Sequence, residues 1–120
     1  MAECSCGNNG VKLIYSCSGA ANTGYLADSV SRKLMKEGKG KMTCLAAIGA
    51  DLSGFIESAK SVDKNIVIDG CPVACGKKIF EKNELKFNHF ILTELGVEKG
   101  KTEITEEVIN KISQEIENKI

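Results

Sequence analysis

The sequence predicts a three-layer α/β unit: a four-stranded parallel sheet with helices on both faces. Three observations lead there. Short β-prone runs alternate with helical segments along the chain, the pattern that gives parallel strands joined by right-handed crossovers. The run Asn65-Ile66-Val67-Ile68-Asp69 is apolar without alternation, as a strand covered on both faces requires. A length of 120 residues with 42% hydrophobic and 27% charged content suits one core.

Taken in order, Val11–Ser16 is the first strand, mostly apolar and β-prone. From Thr23 to Glu37, Leu26, Val30 and Leu34 recur every fourth residue and Gly38 offers a stop, so an amphipathic helix follows. Lys41–Ala46 reads as a second, weaker strand. Leu52, Phe55, Ile56 and Ala59 mark a short helix capped near Asp51 or Ser53. Asn65–Asp69 is the third strand. Pro72 stands where a third helix can begin, since the first helical position needs no N–H donor, and that helix runs to about Lys82. Phe87–Leu92 is the fourth strand, and Thr105 caps a last helix with the stripe Val108, Ile109, Ile112, Ile116 and Ile120. The expected strand order is 2-1-3-4, as in flavodoxin-/Rossmann-like sheets. Residues 1–10 read as a loose arm carrying a Cys4-x-Cys6 pair, and residues 11–120 as a single domain.

Sixteen Lys+Arg balance 16 Asp+Glu, which lacks the basic footprint of a nucleic-acid or membrane-surface protein. No apolar run approaches the ~18–20 residues of a membrane helix. The Met-Ala-Glu-Cys-Ser-Cys start has neither the positive region nor the apolar stretch of a signal peptide. A cytoplasmic address is expected, with no nucleic-acid or membrane partner. Protein partners cannot be read from the sequence, and a homo-oligomer is neither indicated nor excluded.

The six cysteines then ask for an explanation, because a cytoplasmic chain keeps its thiols reduced. Cys usage at this level points to metal or redox chemistry. Cys17 follows the first strand, Cys44 lies at or near the end of the second, Cys71 follows the third, and Cys75 is one helical turn further on. Ligands in such sheets bind beyond the carboxyl ends of the strands, so these four reach one edge. A tetrahedral metal site needs about four donors converging within ~2.3 Å of one point. Helix starts also favour thiolate over thiol, which is expected to bias Cys17, Cys71 and Cys75 toward metal binding or redox attack.

Around them, Asp69 is a candidate to cap the following helix or to orient a group of the site. Lys77 and Lys78 are candidates to offset thiolate charge, unless they are merely solvated. His89, the one histidine, is expected to be structural or exposed rather than a ligand. A cysteine after strand one also suits low-molecular-weight tyrosine phosphatases, but these need an arginine six positions on; Thr23 stands there and the lone arginine is Arg32. Phosphatase chemistry is therefore not expected.

The segment Ile68-Asp69-Gly70-Cys71-Pro72-Val73-Ala74-Cys75 resembles the signature of the DGC-domain family. Agreement extends to Cys17-Ser18-Gly19 with Asn22, to Met42-Thr43-Cys44-Leu45-Ala46 before Ile48-Gly49, and to Thr93-Glu94-Leu95-Gly96. Together they span about Val11 to Lys99. The resemblance implies a Zn²⁺-binding protein whose chelating cysteines are Cys17, Cys44, Cys71 and Cys75, the four that the sheet edge also selects. A four-thiolate zinc site has no open position for a substrate, so a non-catalytic role follows. Two alternatives use the same residues: an iron–sulfur cluster on the four thiolates, and a thiol redox or sulfur-transfer enzyme acting through Cys71/Cys75 and Cys17.

Overall fold

The computed structural model describes residues 10–120; Cys4 and Cys6 lie outside the described residues. Four strands form one sheet in the order β2-β1-β3-β4: β1 Lys12–Ser16, β2 Lys41–Met42, β3 Lys64–Asp69 and β4 Asn88–Ile91. Every pairing is parallel. The helices are α1 Asn22–Lys36, α2 Leu45–Gly49, α3 Ser53–Ser61, α4 Cys75–Lys82 and α5 Glu106–Glu117. A 3-10 turn, Leu92–Leu95, follows β4. Among the described residues no helix is long and apolar enough to cross a membrane.

The period of two along the central strands sorts side chains onto two faces. Ile14, Ile66 and Ile68 pack with Leu26, Val30 and Leu34 of α1 and with Ile112 and Ile116 of α5. Tyr15 and Val67 face the other way, against Ile48 of α2, Ala59 of α3 and Phe80 of α4. The chain is thus three layers, with α1 and α5 on one side and α2, α3 and α4 on the other. Fully burying an aliphatic side chain of this size contributes about 1.5–3 kcal/mol. Thr105 caps α5 as its sequence position predicts, its hydroxyl accepting the Val108 N–H at 3.3 Å.

Two expected elements differ. The second strand is two residues long, extended by the Thr43 N–H donating to the Ile14 carbonyl at 2.9 Å. Leu45-Ala46-Ala47-Ile48-Gly49 turns into α2 instead, because Leu and Ala are strong helix formers and outweigh a short apolar run. The third helix starts at Cys75 rather than at Pro72. Cys71–Ala74 is a tight turn in which the Ala74 N–H donates to the Cys71 carbonyl at 3.0 Å. Pro72 occupies the second position of that turn, where its fixed φ fits equally well.

Gly70 lets this turn lie on the start of α1. A Cβ there would stand 2.5 Å from the Thr23 carbonyl oxygen and 2.6 Å from its carbon. Both are backbone atoms that cannot rotate away. Gly70→Ala is therefore expected to lower unfolding free energy by ~1–3 kcal/mol, read from urea denaturation.

Tyr15 gives a second test. It is 1% exposed, and burial pushes its phenol from the ordinary 10.0 up to about 12. Between those values the unfolded chain loses the proton while the folded chain keeps it. The stabilisation is whole below pH 10 and disappears as pH rises toward 12, by about 1.4 kcal/mol per pH unit. Denaturation at stepped pH should show this slope, and Tyr15→Phe should reduce it by the Tyr15 share.

Candidate functional site

At the carboxyl end of the sheet a cleft of about 300 Å³ is lined by Cys17, Gly70, Cys71, Ala74, Cys75 and Lys99, together with the loop that runs from β1 into α1. Three of the four expected cysteines therefore share one cavity. Cys44, at the N-cap of α2, is exposed and is not among the lining residues.

Cys17 prolongs β1 by one rung: its N–H donates to the Ile68 carbonyl at 3.0 Å. Its sulfur, in turn, accepts the Gly70 N–H at 3.1 Å. Helix α1 begins at Asn22, so Cys17 does not stand at a helix start. The expected bias toward thiolate is overturned here. Burial pushes the Cys17 thiol above its ordinary value; the Gly70 N–H pulls it down, while Asp69, Cys71 and Cys75 add to the rise. Cys17 is a protonated thiol at neutral pH.

The other two sit on a loop pinned from below. Asp69, the last residue of β3, is 1% exposed and carries three hydrogen bonds. Oδ1 accepts the Gly76 N–H at 2.8 Å, and Oδ2 accepts the Lys77 N–H at 3.0 Å. Oδ2 also meets His89 Nε2 at 2.7 Å. Of the roles considered for Asp69, the capping one is seen: both backbone donors lie in the first turn of α4, the helix that Cys75 opens. Gly76 permits this approach, since a Cβ would lie 2.6 Å from Val67 Cγ1 and 3.0 Å from Asp69 Oδ1. Ala74, before the helix, has φ 53° and ψ 53°, a left-handed conformation costing a non-glycine residue ~1–2 kcal/mol. His89 is held by Asp69 and does not line the cleft, in line with a structural rather than a ligating part.

The cation at the thiols is one that sequence reasoning missed. Lys77 and Lys78 are exposed on α4, whereas Lys99 Nζ stands 3.4 Å from Cys71 Sγ, donating to it. Asn22 brings it there. The Asn22 amide donates to the Glu98 and Thr102 carbonyls at 3.1 and 2.8 Å and accepts the Gly100 N–H at 2.7 Å. One side chain at the head of α1 therefore clasps the loop that carries Lys99. A polar residue at a helix start reads as a cap; only the fold shows that it spans to residues far along the chain.

As a donor set, three thiols in one cleft match the preference of soft cations. Their arrangement is not that of an assembled site: among the described residues no three His, Cys, Asp or Glu side chains stand together closely enough to hold a metal ion.

The chain matches the DGC domain over residues 13–116. It is 32% identical over 88 residues to a Pseudomonas aeruginosa protein described as the anaerobic and virulence modulator AnvM, a match covering 72% of this chain and 67% of that one. No solved structure matches it. The family's span takes in β1 from its second residue, the other three strands, α1 to α4 and the whole thiol cleft, and on that ground the chain belongs to the DGC-domain family.

Proposed function

We propose that this protein binds a soft divalent metal ion, Zn²⁺ foremost, through the thiols of Cys17, Cys71 and Cys75, with Cys44 as the fourth donor. The observation that carries the reading is the convergence of three cysteines, from two separate segments of the chain, on one cleft at the sheet's carboxyl end. The raised Cys17 thiol argues against Cys17 as the redox nucleophile, because a protonated thiol attacks poorly, and it sets a proton cost that a bound metal must offset. The turn Cys71–Ala74 is the part that must adjust for the thiols to close on an ion. The description of the Pseudomonas relative as a modulator fits a regulatory protein that holds its ligand without turning it over.

Equilibrium dialysis of the reduced, anaerobic protein against Zn²⁺ tests this. One ion per chain is expected. Cys17→Ser, Cys71→Ser and Cys75→Ser should each weaken binding by at least the ~10-fold that losing even an outer partner costs. Cys44→Ser should do the same if α2 swings its N-cap inward, and unchanged binding would remove Cys44 from the set. Full binding by all four variants would sink the proposal. Uptake should also release protons and weaken as pH falls, since protons compete with metal for the thiols. A brown anaerobic protein absorbing near ~400 nm would assign the same thiolates to an iron–sulfur cluster instead.

A second reading, thiol redox or sulfur transfer, rests on one contact: Lys99 against Cys71, with Cys75 exposed nearby. Here Cys71 and Cys75 would give up two electrons and two protons to a small disulfide, forming their own disulfide and two free thiols. A reversible Cys71–Cys75 bond in a glutathione-buffered titration, suppressed by added Zn²⁺, would show both chemistries competing for the same sulfurs. Absence of that bond across the titration would remove this reading.

A further inference from the structure

We propose that His89 is a positioning residue for the cysteine cleft, acting through Asp69 on the segment that carries Cys71 and Cys75. It is not among the residues that line the cleft. In the β3–β4 register His89 lies opposite Val67, two residues before Asp69 on the same strand face. From there Nε2 reaches Asp69 Oδ2 at 2.7 Å. With Oδ2 held by His89 and the Lys77 N–H, Oδ1 is turned toward the Gly76 N–H. The imidazole therefore sets the rotation of the carboxylate, and the carboxylate sets the first turn of α4.

The ring is itself held. Phe87 meets it edge-on with centroids 6.0 Å apart, Phe80 meets Phe87 at 5.6 Å, and Tyr15 meets Phe80 at 4.7 Å. Edge-to-face pairs of this kind fix ring orientation as well as burying area. A row of aromatic rings on the α4 face of the sheet thus ends in one polar contact. Beyond it, the Lys78 N–H donates to the Ala74 carbonyl and the Ala74 N–H to that of Cys71. Cys75 opens the helix that Asp69 caps, and Cys71 opens the turn leading into it. The strand position alone would be filled as well by an apolar β-former, so the imidazole's distinct contribution is its hydrogen bond to a buried carboxylate.

This inference rests on reading the cleft as a thiol site, but its test uses metal-free protein, so the two can fail separately. In the wild-type chain, the ¹⁵N spectrum of the ring should show Nε2 carrying a proton; a bare Nε2 would overturn the proposal whatever the variants do. Two variants then separate positioning from bulk stability. In His89→Leu the amides of Gly76 and Lys77 should exchange with solvent roughly tenfold faster or more, as expected for losing a hydrogen bond to a charged group. Cys71 should be alkylated faster by a similar factor, while the Ile66 and Ile68 amides keep their protection. His89→Gln retains a donor and should restore the wild-type rates. Equal acceleration at Ile66 and Ile68, no acceleration anywhere, or a His89→Gln protein indistinguishable from His89→Leu would each overturn it. A His89→Leu chain that does not fold leaves the decision to the wild-type ring spectrum and the His89→Gln rates.

Discussion

A carboxylate buried at the end of the central strand organises this end of the molecule. Burying a charge without partners costs several kcal/mol, so Asp69 can be 1% exposed only because donors surround it. Two come from the backbone at the start of α4 and one from the neighbouring strand β4. Those partners lie in two elements, so satisfying one side chain of β3 ties β4 and α4 to it. Removing a partner would leave the charge exposed to its full desolvation penalty, the asymmetry that makes buried polar groups exacting. The glycine at position 76 belongs to the same arrangement, because the helix must come close enough for its N–H to reach.

The cleft above Asp69 is bounded by backbone that has little freedom. Gly70 rests against the carbonyl of Thr23, its N–H meets the sulfur of Cys17, and Ala74 is held in a left-handed conformation. Burial of Cys17, with a smaller push from the charge of Asp69, keeps its proton on. A helix dipole would have done the opposite, but the helix begins five residues later, past an exposed loop. Distance from the helix terminus decides the sign, since the dipole's influence fades within a turn.

Much of this was legible in the chain. The unbroken apolar run at Ile66–Ile68, the fourfold spacing of Leu26, Val30 and Leu34, and the threonine before the last helix each signal their element, and the order expected by likeness to flavodoxin-like sheets is the one observed. Of the four cysteines placed at the sheet edge by reasoning, Cys17, Cys71 and Cys75 line one cleft there and Cys44 does not. What escaped did so for physical reasons. Thr43–Ala46 is apolar enough for a strand and short enough for a helical turn, and pattern alone does not arbitrate between them. Pro72 fits a turn and a helix start equally. Lys99 lies on a polar loop with no periodicity, and its place beside Cys71 depends on Asn22, 78 residues away from the Gly100 N–H that it accepts. Pairing at such separation is a property of the fold and leaves no local mark.

The Asn22 clasp also bears on biosynthesis. Its partners are Glu98, Gly100 and Thr102, separated from it by 76 to 80 positions. Chains emerge from the ribosome amino end first, so Cys17, Cys71 and Cys75 are translated before the segment that supplies one wall of their cavity. During that interval the sulfurs have neither Lys99 nor its loop over them. The stretch that places Lys99 beside Cys71 is therefore the last part of the cavity lining to be made.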